Sequence, residues 1–255
     1  MEESPRLFQS KWDWRAILYC HLGAFVLMAS WLWLPGRTAW EKIDYALFAR
    51  LNFPLAHDSS LALFWALTNV RLCDIFVGAI LLLIMCRHNW FFHNNEIRYA
   101  IFGLAGILLL SLVLRTGLHH LLAFSHWDTR SPSLKYDGAV RLTHLFHFWK
   151  LKDGSHDAFP GDHTGVLMIW GLLLSVYGRH WKLFAVWLLV MLFSLPRLVA
   201  GAHSISDDLV GGGFIALVSF AWGFYTPFTF WFSNFCDSLT RPVIRWAHLH
   251  LPLKE

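Results

Sequence analysis

Two short stretches of the chain carry residues able to do chemistry. One is Phe159-Pro160-Gly161-Asp162-His163; the other sets Arg197, His203 and Asp207 at intervals of six and four. Each places a histidine at the mouth of an apolar segment long enough to cross a bilayer. Titratable groups at membrane boundaries are costly and tend to be kept for function. Two histidines, a carboxylate and an arginine are what phosphoryl transfer through a covalent phosphohistidine requires.

The spacing suggests roles. Residues four apart share a helix face, so Asp207 can reach His203. A carboxylate on one imidazole nitrogen fixes the tautomer, leaves the other nitrogen as nucleophile and stabilises the charge formed on phosphorylation. Arg197 is close enough for its planar fork to clamp phosphate oxygens. The plain alternative is an ion-pair cluster that only holds helices together. Pro160 and Gly161 fix a turn, Asp162 can cap, and the first N–H groups of the following helix suit an anionic phosphate. His163, in that first turn, is positioned to protonate a leaving oxygen.

Other polar residues are open to blander readings. Arg130-Ser131-Pro132 offers Arg130 as a third phosphate ligand, with Lys135, Arg141, Lys150 and Lys152 downstream. Taken alone it is an ordinary loop tripeptide. His126, His144, His147 and His156 raise the question of zinc, but no HExxH or ordered carboxylate set accompanies His144-x-x-His147. Arg71 and Asp74, at i and i+3, read more readily as an interfacial ion pair than as substrate contacts. Arg115 either finds a partner at depth or snorkels to the interface.

The elements that must position these groups follow from composition. The chain has 255 residues, 56% of them hydrophobic, including 15 Trp and 22 Phe. Its mean hydropathy is +0.45. A soluble domain could not hide that many aromatics, so the expected fold class is all-α, a polytopic membrane protein. Six transmembrane helices are expected, over about 16–34, 73–86, 99–122, 164–177, 181–195 and 209–225. A long extramembrane loop, 123–158, separates the third from the fourth. The chain reads as one membrane domain, 1–255, with its core at 61–225 and an interfacial tail at 226–255. No basic arm stands clear of the spans, which argues against nucleic acid. The four cysteines have no CxxC spacing and imply no disulfide or zinc site. The polar start, 1–13, leads into a first span that would stay as an anchor.

Two antiparallel crossings separate the motifs, so His163, His203 and the long loop share one face. Lys and Arg are nearly balanced between the faces. Discounting the cations a phosphate site would need leaves cytoplasmic termini and an external site.

These residues resemble the motifs of the type 2 phosphatidic acid phosphatase superfamily of membrane phosphatases. Its third motif is matched by Arg197, His203 and Asp207, with Pro196 replacing a serine. Its second is matched by Pro160-Gly161-Asp162-His163, with Gly-Asp in place of Ser-Gly. In the first, Arg130 supplies the arginine, but Ala123 stands where the lysine belongs, and Lys135 or Arg115 could compensate. The forms FPGDH, RSP and LPRLVAGAH are similar to the lipid A phosphotransferase branch of Gram-negative inner membranes. The resemblance implies His203 as nucleophile, Asp207 as its partner, and His163 as acid and later base. Arg130 and Arg197 would bind phosphate. Asp162 could cap the helix, position an arginine or exclude a doubly charged competitor. It implies no metal or other cofactor, undecaprenyl diphosphate as donor and lipid A as acceptor at the periplasmic face. A plain diphosphatase with water as acceptor would use the same residues.

Overall fold

The computed structural model describes residues 7–123, 127–147 and 150–250. His126, parts of the long loop and the last five residues of the expected interfacial tail lie outside them. Among the described residues the protein is helical and has no strands. The helices are α1 (Trp14–Leu32), α2 (Leu34–Asn52), α3 (Ser59–Thr68), α4 (Arg71–Cys86), α5 (Asn94–Ala123), α6 (Pro132–Lys135), α7 (Leu142–Leu145), α8 (Asp162–Tyr177), α9 (Trp181–Val199), α10 (Gly213–Phe224) and α11 (Phe228–His250). A π-helical turn, Asp207–Gly212, leads into α10.

Among the described residues four helical stretches are long and apolar enough to cross a membrane: Trp14–Leu32, Asn94–Leu122, Trp181–Val199 and Asp207–Phe224. The other two expected spans, α4 and α8, have 16 residues each. At 1.5 Å per residue they reach about 24 Å, short of the roughly 30 Å hydrocarbon width. The last of the four is central, with 72% of its apolar window buried against 17% for α1. Packed around it are α1, α5 and α8, with α9 behind α8 and α11 along α5. Small residues permit these close approaches: a Cβ on Gly223 would press on Ile107, and Gly165 backs onto Gly212. The outward faces are apolar, with Phe25 and Val26 on α1, Ile75 and Leu83 on α4, and Phe184 and Met191 on α9 all exposed. That inside-out pattern is what lipid around the bundle requires.

Sequence periodicity did not reveal two helices. Pro35 and Gly36, which directly follow the expected first span of 16–34, lie in the first turn of α2, because proline is compatible with a helix's first turn. The apolar stretch before the second span is a separate helix, α3, capped by the Asp58 side chain through the N–H groups of Ser60 and Leu61. Both helices lie against the site. Asn52, at the end of α2, donates to the carbonyls of Val140 and Val199 and accepts from the Val140 N–H. One buried amide thus ties the long loop to the end of α9.

Candidate active site

The site forms where three segments converge: the end of α9 with the turn after it, the start of α8, and the start of α4. Arg197 lies in the last turn of α9, where a cation complements the helix dipole. It is only 4% exposed. Its Nη2 is 2.6 Å from Asp74 Oδ2, and its Nη1 bonds the Asn69 side chain and, at 3.3 Å, the Asn69 carbonyl. Asp74 therefore pairs with Arg197 and not with Arg71, which corrects the expected i, i+3 interfacial pair. The cause is burial: an interior guanidinium needs a carboxylate, whereas Arg71 is exposed and can be hydrated.

Beyond Arg197 the chain turns through Gly201, whose φ of +70° favours glycine. It then presents His203, which is 3% exposed. The Nδ1 of His203 lies 3.0 Å from the Ala158 carbonyl, and its Nε2 lies 3.2 Å from Asp162 Oδ1. Asp207 does not take the position beside the ring that its spacing suggested. Its carboxylate accepts the Ser204 N–H at 2.7 Å while Ser204 Oγ accepts the Asp207 N–H, because the helix starts only at Ile205 and His203 lies before its cap. Its charge still acts on His203. Burial opposes protonation of that imidazole, but the bond to Asp162 and the nearby carboxylates of Asp208 and Asp207 outweigh it and raise the basicity of the ring.

Asp162 and His163 open α8. Gly161 holds them against the third motif: its N–H donates to the Asp207 carbonyl at 2.9 Å, and a Cβ there would collide with Asp208 and lie 2.9 Å from that carbonyl oxygen. The Asp162 carboxylate gathers Lys152 at 3.2 Å and Arg115 at 3.2 Å. Arg115, near the end of α5, thus has a charged partner. His163 Nδ1 lies 3.9 Å from Asp74 Oδ1. A cavity of about 710 Å³ opens in front of this cluster, lined by Asp74, Arg115, Lys152, Asp162, His163 and Arg197 among others.

The first-motif residues stand apart. Arg130 is exposed, and its Nε and Nη2 each lie 2.9 Å from an Asp128 oxygen. The bond from Arg130 holds the Asp128 carboxyl down at about 2. Lys135 faces Glu41 at 3.7 Å. Neither lines the main cavity. Ser131 is the member of RSP that faces inward: its hydroxyl donates to the Ala202 carbonyl at 2.6 Å and accepts the Ser155 N–H at 2.8 Å. The tripeptide so braces the turn that carries His203. His144 and His147 are exposed. Among the described residues no three His, Cys, Asp or Glu side chains are grouped to hold a metal ion.

The sequence reading passed over Asn69, Asp74 and Lys152 as site residues. Asp74 was visible as a carboxylate opening a span, but its partner lies 123 residues away along the chain.

The chain is 28% identical over 215 residues to the lipid A 1-diphosphate synthase of Escherichia coli (strain K12), covering 83% of this chain and 87% of that protein. The resemblance read from the motifs is borne out. No family model matches the chain, and no solved structure matches it.

Proposed function

We propose that the protein is an integral membrane phosphotransferase. It would move the terminal phosphate of undecaprenyl diphosphate, through a phosphohistidine on His203, to the 1-phosphate of lipid A at the periplasmic face of the inner membrane. The observation that carries the reading is that Arg197, His163, Arg115 and Lys152 line one cavity, with His203 directly behind Asp162. The name of the E. coli relative supports the choice of lipid acceptor.

In this scheme the basic wall, Arg197, Arg115 and Lys152, neutralises the diphosphate and holds its terminal phosphorus in line with His203 Nε2. The N–P bond forms as the bridging P–O bond breaks, and the electron pair leaves on the lipid monophosphate, with His163 able to protonate it. An oxygen of the acceptor's phosphate then attacks the same phosphorus, and the N–P bond breaks back to a free imidazole. The apolar side of the cavity, Val77, Leu81, Leu108 and Leu112, suits the first isoprene units of a polyprenyl chain.

The test is a label partition. Undecaprenyl diphosphate labelled in its terminal phosphate is given to the purified protein with and without lipid A, and the products are separated by thin-layer chromatography. Transfer predicts label on lipid A. Label released only as inorganic phosphate would make the protein a diphosphatase with water as acceptor.

A further inference from the structure

The Asp162 carboxylate occupies ground that a phosphate would need. Its Oδ1 lies 3.2 Å from His203 Nε2 and 3.3 Å from Lys152 Nζ. Its Oδ2 lies 3.2 Å from Lys152 Nζ and 3.2 Å from Arg115 Nη2. One carboxylate thus gathers a ring nitrogen and two cations, the partners a phosphoryl group held for attack would take. The cavity is lined by Asp162 and His163 but stops short of His203. The ring of His203 faces an acceptor at each nitrogen, the Ala158 carbonyl and Asp162, so it carries both protons here and offers no lone pair.

We propose that Asp162 is a resident anion that closes the phosphate subsite and makes it selective for diphosphates over monophosphates. The inference rests on the phosphotransfer reading above. Because the carboxylate is part of the chain, it competes at a high effective concentration against any single free anion. A diphosphate has a second phosphate with which to engage Arg71 and Lys150, which line the same cavity. Anchored there, it displaces Asp162 and takes over Arg115 and Lys152. The Nε2 proton passes to a non-bridging oxygen of the arriving phosphate. The freed lone pair attacks phosphorus as the bridging P–O bond breaks, and that bond's electron pair leaves on the lipid monophosphate.

The test needs no lipid substrate. The full chain in nanodiscs is titrated calorimetrically with inorganic phosphate and with methylenediphosphonate. The wild-type protein should prefer the diphosphonate by about tenfold or more, roughly 1.4 kcal/mol. In Asp162→Asn, which keeps the side chain's shape, and in Asp162→Gly, phosphate affinity should rise by about tenfold, and adding Arg115→Ala should reverse the gain. Unchanged or weaker phosphate binding in folded Asp162→Asn or Asp162→Gly protein overturns the proposal. If neither variant folds, the wild-type comparison decides: equal binding of the two anions overturns the proposal as well. The label partition with lipids tests the transfer reading separately, so either idea can fail alone.

Discussion

The proposed attack of His203 on phosphorus needs a neutral imidazole, and the surroundings of the ring favour the charged form. Asp162, Asp207 and Asp208 face it with negative charge, while His163 and the cations on Asp162, Lys152 and Arg115, oppose them. The balance lies above the ordinary value of about 6.5. Activity, read as kcat/KM, should therefore climb with pH along a limb lying above that value. Asp162→Asn should move the limb to lower pH, since a stabiliser of the imidazolium is gone; a limb that stays in place would refute this assignment. The linkage for stability has the opposite sense. A raised folded-state value contributes stability fully below about pH 6.5 and loses it as pH rises through the folded-state value. His163→Ala removes the proposed proton donor and should lower kcat by about 10²- to 10⁴-fold with little change in KM, measured by steady-state kinetics. At this scale the structure brings His163, His203 and Arg197, residues of two separate motifs, into one cluster. Spacing alone misled on the partner of His203, because a spacing of four implies one helix face only where the helix is continuous, and here the helix begins at Ile205, after His203.

The elements hold this cluster by backbone contact more than by side chains. The loop before α8 lies directly on the π-helical turn that opens α10, and π-helical turns recur at functional sites because they reposition side chains. Gly161 is the point of contact, donating its N–H to the Asp207 carbonyl. Gly161→Ala should push the two motifs apart. The expected result is a loss of about 1–3 kcal/mol, read as a lower Tm, together with a fall in kcat. A variant with normal turnover would mean the loop can retreat without disturbing Asp162. Asn52→Ala tests the outer brace: it leaves the Val140 N–H and the Val199 carbonyl without their bonds to a buried side chain, costing about 1–3 kcal/mol. Hydropathy pointed to the long apolar helices but was silent on α2, whose polar and apolar residues alternate without a strong stripe. The partners of Asn52 lie 88 and 147 residues away, a distance that periodicity cannot register.

Across the whole molecule, α5 links two polar clusters of different purpose. With 30 residues it is about 45 Å long, more than the hydrocarbon needs, so both ends reach polar surroundings. Its far end brings Arg115 to Asp162 in the candidate site. Near its start, Tyr99 donates to Asp237 of α11 at 3.0 Å, and Arg98 and Arg241 pair with the same carboxylate. Asp237 has a side chain only 2% exposed, so it clasps α11 to α5. Seventeen residues separate Arg98 from Arg115 in the sequence, about 26 Å along the helix. Asp237→Ala removes a buried acceptor, but Arg98 and Arg241 are near enough to water to be rehydrated. The cost should be about 1–3 kcal/mol and not the larger penalty of a fully interior pair. Thermal unfolding in detergent should show a lower Tm, while KM for the diphosphate and anion affinity at the site stay unchanged below the transition. Were anion affinity to fall as well, α5 would have to be acting as a rod that transmits the position of its start to Arg115. Stability and chemistry would then be coupled through one helix, where the structure keeps them at opposite ends.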